Sequence, residues 1–68
     1  METSIRNHLK GRVKDIVQGQ VVSEVEIETP AGVVTSVITT RSVQHLQLKV
    51  GDEVYAVIKA TNVSVEKQ

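Results

Sequence analysis

The residues able to do chemistry in this chain are hydrogen-bond donors grouped in three short stretches. Ser4, Arg6 and Asn7 stand together near the start, in TSIRNHLKG. Thr39, Thr40 and Ser42 mark the junction between an alternating apolar segment and a helical one, and Lys59, Ala60 and Thr61 follow the last well-patterned segment. Hydroxyls donate without adding charge, while Arg and Lys supply the sign that an anion needs. A helix starting at Ser42 adds unpaired backbone N–H groups and a partial positive charge. These types together fit the binding of a small anion. Each also has an ordinary alternative: Ser42 as a helix cap, Arg6 and Lys59 as solvated charges.

Catalytic chemistry finds less support. No Ser/His/Asp or Cys/His arrangement is visible, and His8 and His45 have no evident partner group. Glu24, Glu26 and Glu28 alternate along one segment, which is the pattern of a solvated strand face rather than an acid–base pair. Gly11, Gly19, Gly32 and Gly51 are scattered as turn residues and form no phosphate-cradling loop. The chain is read as a binding protein and not an enzyme.

The elements that must position these donors are mostly strands. Residues 20–28 alternate, with Val21, Ser23, Val25 and Ile27 on one face and the three glutamates on the other. Thr29-Pro30-Ala31-Gly32 is a turn, and residues 33–40 return as the second arm of a hairpin. That arm is apolar on both faces, at Val33 and Val37 and at Val34 and Ile38, so it is expected to be covered twice, once by its own core and once by a neighbour. Residues 9–17 form a weaker strand in which Gly11 permits a bulge or a close backbone approach, and Gly19 turns the chain into the next. Residues 42–48 read as about two turns of helix capped by Ser42. Val50-Gly51-Asp52 is a turn, 53–60 a strand, and 62–67 a last short strand. Five strands with one short helix after the third fit a small barrel of the OB type, and a small sandwich or SH3-like barrel leaves similar traces.

Composition narrows the function further. A single domain of 68 residues buries only about 60% of the surface its unfolded chain exposes, so its solitary core is marginal. There are no cysteines, which removes disulfides and cysteine-based zinc sites, and two histidines make a poor structural-metal set. Association with other copies is the remaining source of stability. Eight basic and eight acidic residues cancel, and Tyr55 is the one residue among Phe, Trp and Tyr, so neither a polyanion footprint nor a base-stacking platform is expected. No run approaches the roughly 18 apolar residues of a membrane helix, and the start lacks a signal-peptide core. A soluble cytoplasmic protein binding neither nucleic acid nor membrane is the expectation.

The order of blocks over nearly the whole chain resembles the molbindins, or Mop domains, small molybdate-binding OB-fold proteins related to the transport-associated OB (TOBE) domain. The likeness rests on S-x-R-N at Ser4, Arg6 and Asn7, L-K-G at Leu9 to Gly11, and the junction Val37-Ile38-Thr39-Thr40-Arg41-Ser42-Val43. It continues through Leu48-Lys49-Val50-Gly51-Asp52-Glu53 and ends at Ala56 to Thr61. The resemblance implies a homo-oligomer, a hexamer built as a trimer of dimers, with β-strands shared between subunits and tetrahedral oxyanions at the interfaces. Carried over by motif, it implies that Ser4, Arg6, Thr39, Ser42, Lys59, Ala60 and Thr61 bind molybdate or tungstate. It also implies a second kind of site involving Asn7, His8 and Gly19. The implied role is cytoplasmic storage and homeostasis of molybdate. An anion-sensing module serving a transporter or regulator and a nucleic-acid-binding OB domain are the alternatives. This chain departs from the common Ser-Ala-Arg-Asn-Gln at Ile5 and His8, placing bulk beside the arm and an imidazole where the family has a neutral amide.

Overall fold

A computed structural model describes residues 5–68. In chain order it contains β1 (Asn7–Gln18), β2 (Val22–Thr29), β3 (Gly32–Thr39), α1 (Thr40–Leu46), β4 (Glu53–Ile58) and a 3-10 turn over Ala60–Asn62. The strands form one antiparallel sheet in the order β3-β2-β1-β4. Strand β2 follows its alternation closely: Ser23, Val25, Ile27 and Thr29 are buried, while Glu24, Glu26 and Glu28 point outward. Val21 departs from the expected inward row. The strand begins one residue later, and Val21 lies in the preceding turn, 74% exposed. The β2–β3 turn is closed by the Thr29 hydroxyl, which donates to the Gly32 carbonyl at 2.7 Å and accepts from the Ala31 N–H at 3.1 Å.

Strand β1 is longer than its sequence pattern implied because it serves two partners in succession. Its first half pairs with β4, from Asn7 opposite Ile58 to Arg12 opposite Glu53. Its second half pairs with β2, and the register slips between Val13 and Asp15, leaving Lys14 as the extra residue of a bulge. The turn before β4 is bonded onto this point: the Gly51 N–H donates to the Val13 carbonyl and the Val13 N–H to the Asp52 carbonyl, at 2.8 and 2.9 Å. Gly51 itself has φ +96°, where a side chain would be strained. Gly11 serves the close approach and the bulge lies downstream of it. A Cβ at Gly11 would stand 2.9 Å from Ile27 Cγ2 and nearer still to the Glu28 carbonyl oxygen.

The sheet curls until its two edge strands, β3 and β4, face each other across an open apolar cleft bordered by Val34, Ile38, Leu48, Val54 and Ile58. The core beneath is small and free of aromatic rings: Val13, Val25, Ile27, Val43 and Ala56, with Leu9, Ile16 and Leu48 packed against it. The second face of β3 finds no cover among the described residues, and Val37 is 65% exposed. The expected fifth strand over 62–67 is absent from the single chain. The 3-10 turn, bonded from the Asn62 N–H to the Lys59 carbonyl, leads the chain away from β4, and residues 63–68 join no ladder, with Val65 93% exposed. The helix is also displaced from 42–48 to Thr40–Leu46, with Thr39 rather than Ser42 as its N-cap. It closes on Gln47 in the left-handed conformation, and the Leu48 N–H bonds back to the Val43 carbonyl at 3.1 Å.

Candidate functional site

The sequence-derived donors fall into two groups at opposite ends of β1. At its start, Asn7 pairs with Ile58, and its side-chain amide donates to the Ile58 carbonyl at 3.1 Å, tying the incoming arm to the end of β4. Arg6 precedes Asn7 and Lys59 follows Ile58, the last pair of that register, and both are exposed. Lys59 is the N-cap of the 3-10 turn, and no side chain caps it. The Ala60 and Thr61 amides are therefore the orphan donors that such a turn leaves. His8 belongs to this end too. Its Nε2 lies 3.0 Å from the Ile5 carbonyl, and its ring meets Tyr55 edge-on at 6.3 Å between centroids. Ser4 lies outside the described residues.

At the far end of β1, Thr39 Oγ1 accepts from the Ser42 N–H at 3.0 Å, and the two hydroxyls are 2.7 Å apart. The first helical turn is held to the β1–β2 connection by Thr40, which is buried. Its hydroxyl donates to the Gly19 carbonyl at 2.7 Å and lies 2.7 Å from Ser23 Oγ. Because that proton is spent on a carbonyl, Ser23 must be the donor in the second contact. The Thr40 N–H adds a bond to the Val21 carbonyl at 2.8 Å. Thr40 was named among the donors but not carried into the oxyanion set, and the structure makes it a positioning residue. Its signal was the Thr-Thr pair, one hydroxyl used as a cap and the other buried. Arg41 joins Thr39, Gln20 and Val21 around a shallow cleft at this end.

The single chain thus unites Arg6, Lys59, Ala60 and Thr61 with Asn7 and His8, and separately unites Thr39 and Ser42 with Gly19. The groups sit at the two ends of β1, Asn7 paired with Ile58 of β4 and Gln18 with Ser23 of β2, with about 36 Å of strand contour between them at about 3.3 Å per residue. Gly19 is therefore not beside Asn7 and His8 within one copy. Electrostatically the first group is cationic, and the second is hydroxyl and amide with the Arg41 guanidinium beside it. Among the described residues the one ion pair is Arg12–Glu53 at 3.4 Å, so neither Arg6 nor Lys59 is neutralised by a carboxylate there. No three His, Cys, Asp or Glu side chains among them are grouped to hold a metal ion. None of their helices is long and apolar enough to cross a membrane. Each group alone offers an oxyanion only part of a donor shell, and on an exposed surface where water competes.

A curled antiparallel sheet of four strands with one short helix defines a small β domain of the OB kind, with hydrogen-bond donors grouped at its ends. The TOBE domain model matches residues 3–65, and the chain belongs to that family. It is 46% identical over 66 residues to the probable molybdenum-pterin-binding protein of Haemophilus influenzae, covering 96% of each. Its fold matches the molybdate-binding protein of Sporomusa ovata with a TM-score of 0.94 and 39% identity, over 98% of this chain and all of that one. It also matches the cytoplasmic molybdate-binding protein ModG in a molybdate-bound form, with a TM-score of 0.82 and 43% identity, over 88% of this chain and 43% of that one.

Proposed function

We propose that this protein binds molybdate at interfaces between copies of itself and serves as a cytoplasmic store that buffers the anion without transforming it. The observation that carries this reading is the separation of the donors. The Arg6/Lys59 group lies where β1 pairs with β4 and the Thr39/Ser42 group where β2 pairs with β3. The cleft at Thr39 is lined by Gln20, Val21 and Arg41 and by neither Arg6 nor Lys59, and two chains can bring the groups together. Ser4 completes the cationic half from the arm, and the Ala60 and Thr61 amides close it. One Arg and one Lys balance the charge of the dianion, and hydroxyls and amides orient its four oxygens. Tungstate, of the same shape and charge, is bound in the same way, and the smaller sulfate is rejected by cavity size.

The assembly is a hexamer of three dimers. Residues 63–68, which join no ladder, supply the shared strand, and the apolar cleft between the β3 and β4 edges receives it. Asn7 and His8 of one copy and Gly19 of another form the second kind of site. The experiment is titration calorimetry with molybdate on the wild type and on Arg6→Ala and Lys59→Ala. Loss of one charge-assisted partner weakens binding by about tenfold or more, since 1.4 kcal/mol is a factor of ten. Unchanged affinity in both variants removes the site.

A further inference from the structure

The ring of His8, at the start of β1, is held on two sides. Its Nε2 lies 3.0 Å from the Ile5 carbonyl, and Tyr55 of β4 meets the ring edge-on. A carbonyl oxygen only accepts, so Nε2 is the nitrogen that carries the hydrogen. The neutral ring is therefore the tautomer with a bare Nδ1, and among the described residues Nδ1 has no hydrogen-bond partner. The bond from His8 back to Ile5 loops the backbone around Arg6 and Asn7, and the Asn7 amide is itself fastened to the Ile58 carbonyl. The imidazole thus shapes the arm that presents Arg6.

The charged groups around this ring share one sign. Exposure alternates from Arg6 through His8 to Lys10, which puts the three on the outward side of β1. On β4, Val57 stands opposite His8 and Tyr55 opposite Lys10, and Lys59 follows the end of the strand. Strand β2 does not reach this far, since its register with β1 begins at Arg12 opposite Glu28. The Glu53 carboxylate, at the other end of the β1–β4 ladder, is bonded to Arg12. No carboxylate stands opposite His8, so an imidazolium there has a bound anion as its counterion. We propose that His8 positions the arm and sets the pH response of the Arg6/Lys59 group. Neutral, it holds the arm through Nε2; protonated by water at Nδ1, it keeps that bond and adds a charge and a donor. Histidine changes charge between about pH 5 and 8, so the anion is held more tightly as pH falls through that range and released as it rises. This rests on the oxyanion reading above and adds its regulation. An anion against Arg6 lies about 6.6 Å from His8, the two-residue repeat of a strand. In water-like surroundings, with salt screening, one unit charge at that distance strengthens the binding of a dianion about fivefold.

The test is titration calorimetry with molybdate, a dianion throughout, at about pH 6 and about pH 8 on the wild type, His8→Gln and His8→Ala. His8 is exposed, so neither substitution disturbs the core. The wild type should lose about fivefold in affinity between the lower and the higher pH. His8→Gln keeps a neutral N–H donor for the Ile5 carbonyl but takes no charge, and should bind equally at both. His8→Ala loses the tether as well, and should bind more weakly than His8→Gln at both. A wild type that binds equally at the two pH values, or a His8→Gln variant that keeps the wild-type pH dependence, overturns the proposal and leaves the oxyanion reading standing. His8→Ala matching His8→Gln overturns the positioning role. A wild type that binds molybdate at neither pH refutes the oxyanion reading and this proposal with it.

Discussion

Thr40→Val keeps the shape of a buried side chain and removes the hydroxyl that fixes the helix start to the β1–β2 connection. Two hydrogen bonds disappear, to the Gly19 carbonyl and from Ser23 Oγ, each worth about 1 kcal/mol net. The Gly19 residue is exposed and water can replace its partner. Ser23 is 1% exposed, so its stranded hydroxyl adds a desolvation cost of about 1–3 kcal/mol. The sum is about 3 kcal/mol, a large share of the stability of so small a domain. At 4–8 °C per kcal/mol this lowers Tm by roughly 12–24 °C. Urea unfolding at one fixed protein concentration, which association requires, should show the midpoint falling with the slope unchanged. Adding Ser23→Ala removes the stranded donor and should return about 1–2 kcal/mol of the loss. A Thr40→Val protein within about 0.5 kcal/mol of wild type, or a double variant less stable than the single, refutes this account of the helix start.

Gly11→Ala should destabilise by about 1–3 kcal/mol in the same urea assay, because the new methyl meets Ile27, Thr29 and the Glu28 backbone. A gain in stability there would contradict the close approach of β1 to β2. Thr39→Val deletes the N-cap acceptor and should cost about 1 kcal/mol in unfolding. It should also weaken molybdate binding in calorimetry by about tenfold, and full affinity would take Thr39 out of the site.

The strand content was legible wherever one face is buried and the other wet. Val25 and Ile27 between the glutamates of β2 announce their faces without help from the rest of the chain. The helix start was not, because Thr39 and Ser42 are both good caps three residues apart. The choice falls to Thr39 because Thr40 is drawn onto Gly19, Val21 and Ser23, all distant in sequence. Val63 and Val65 alternate as a strand would, but a strand needs an edge to join, and the 3-10 turn at Ala60–Asn62 carries them away from the one beside β4. The donor types of the candidate site were readable residue by residue. Their distribution was not, since only the β1 register shows that Gly19 and Asn7 occupy opposite ends.

The same geometry explains why so small a chain tolerates so much exposed valine. With a core of five buried apolar residues and no aromatic ring, the surfaces at Val33, Val37, Val57 and Val65 are the largest remaining source of burial. On the proposed function, an anion held only by the associated form would stabilise that form by mass action.

Native mass spectrometry of the wild type, with and without molybdate, puts the central claim to its most direct test by reading subunit number and bound anion together. Molybdate should appear only on associated species, and its addition should deplete the 7.4 kDa monomer. Monomers that carry the anion as readily as the assembly does would show that one chain holds a complete site, and would contradict the account.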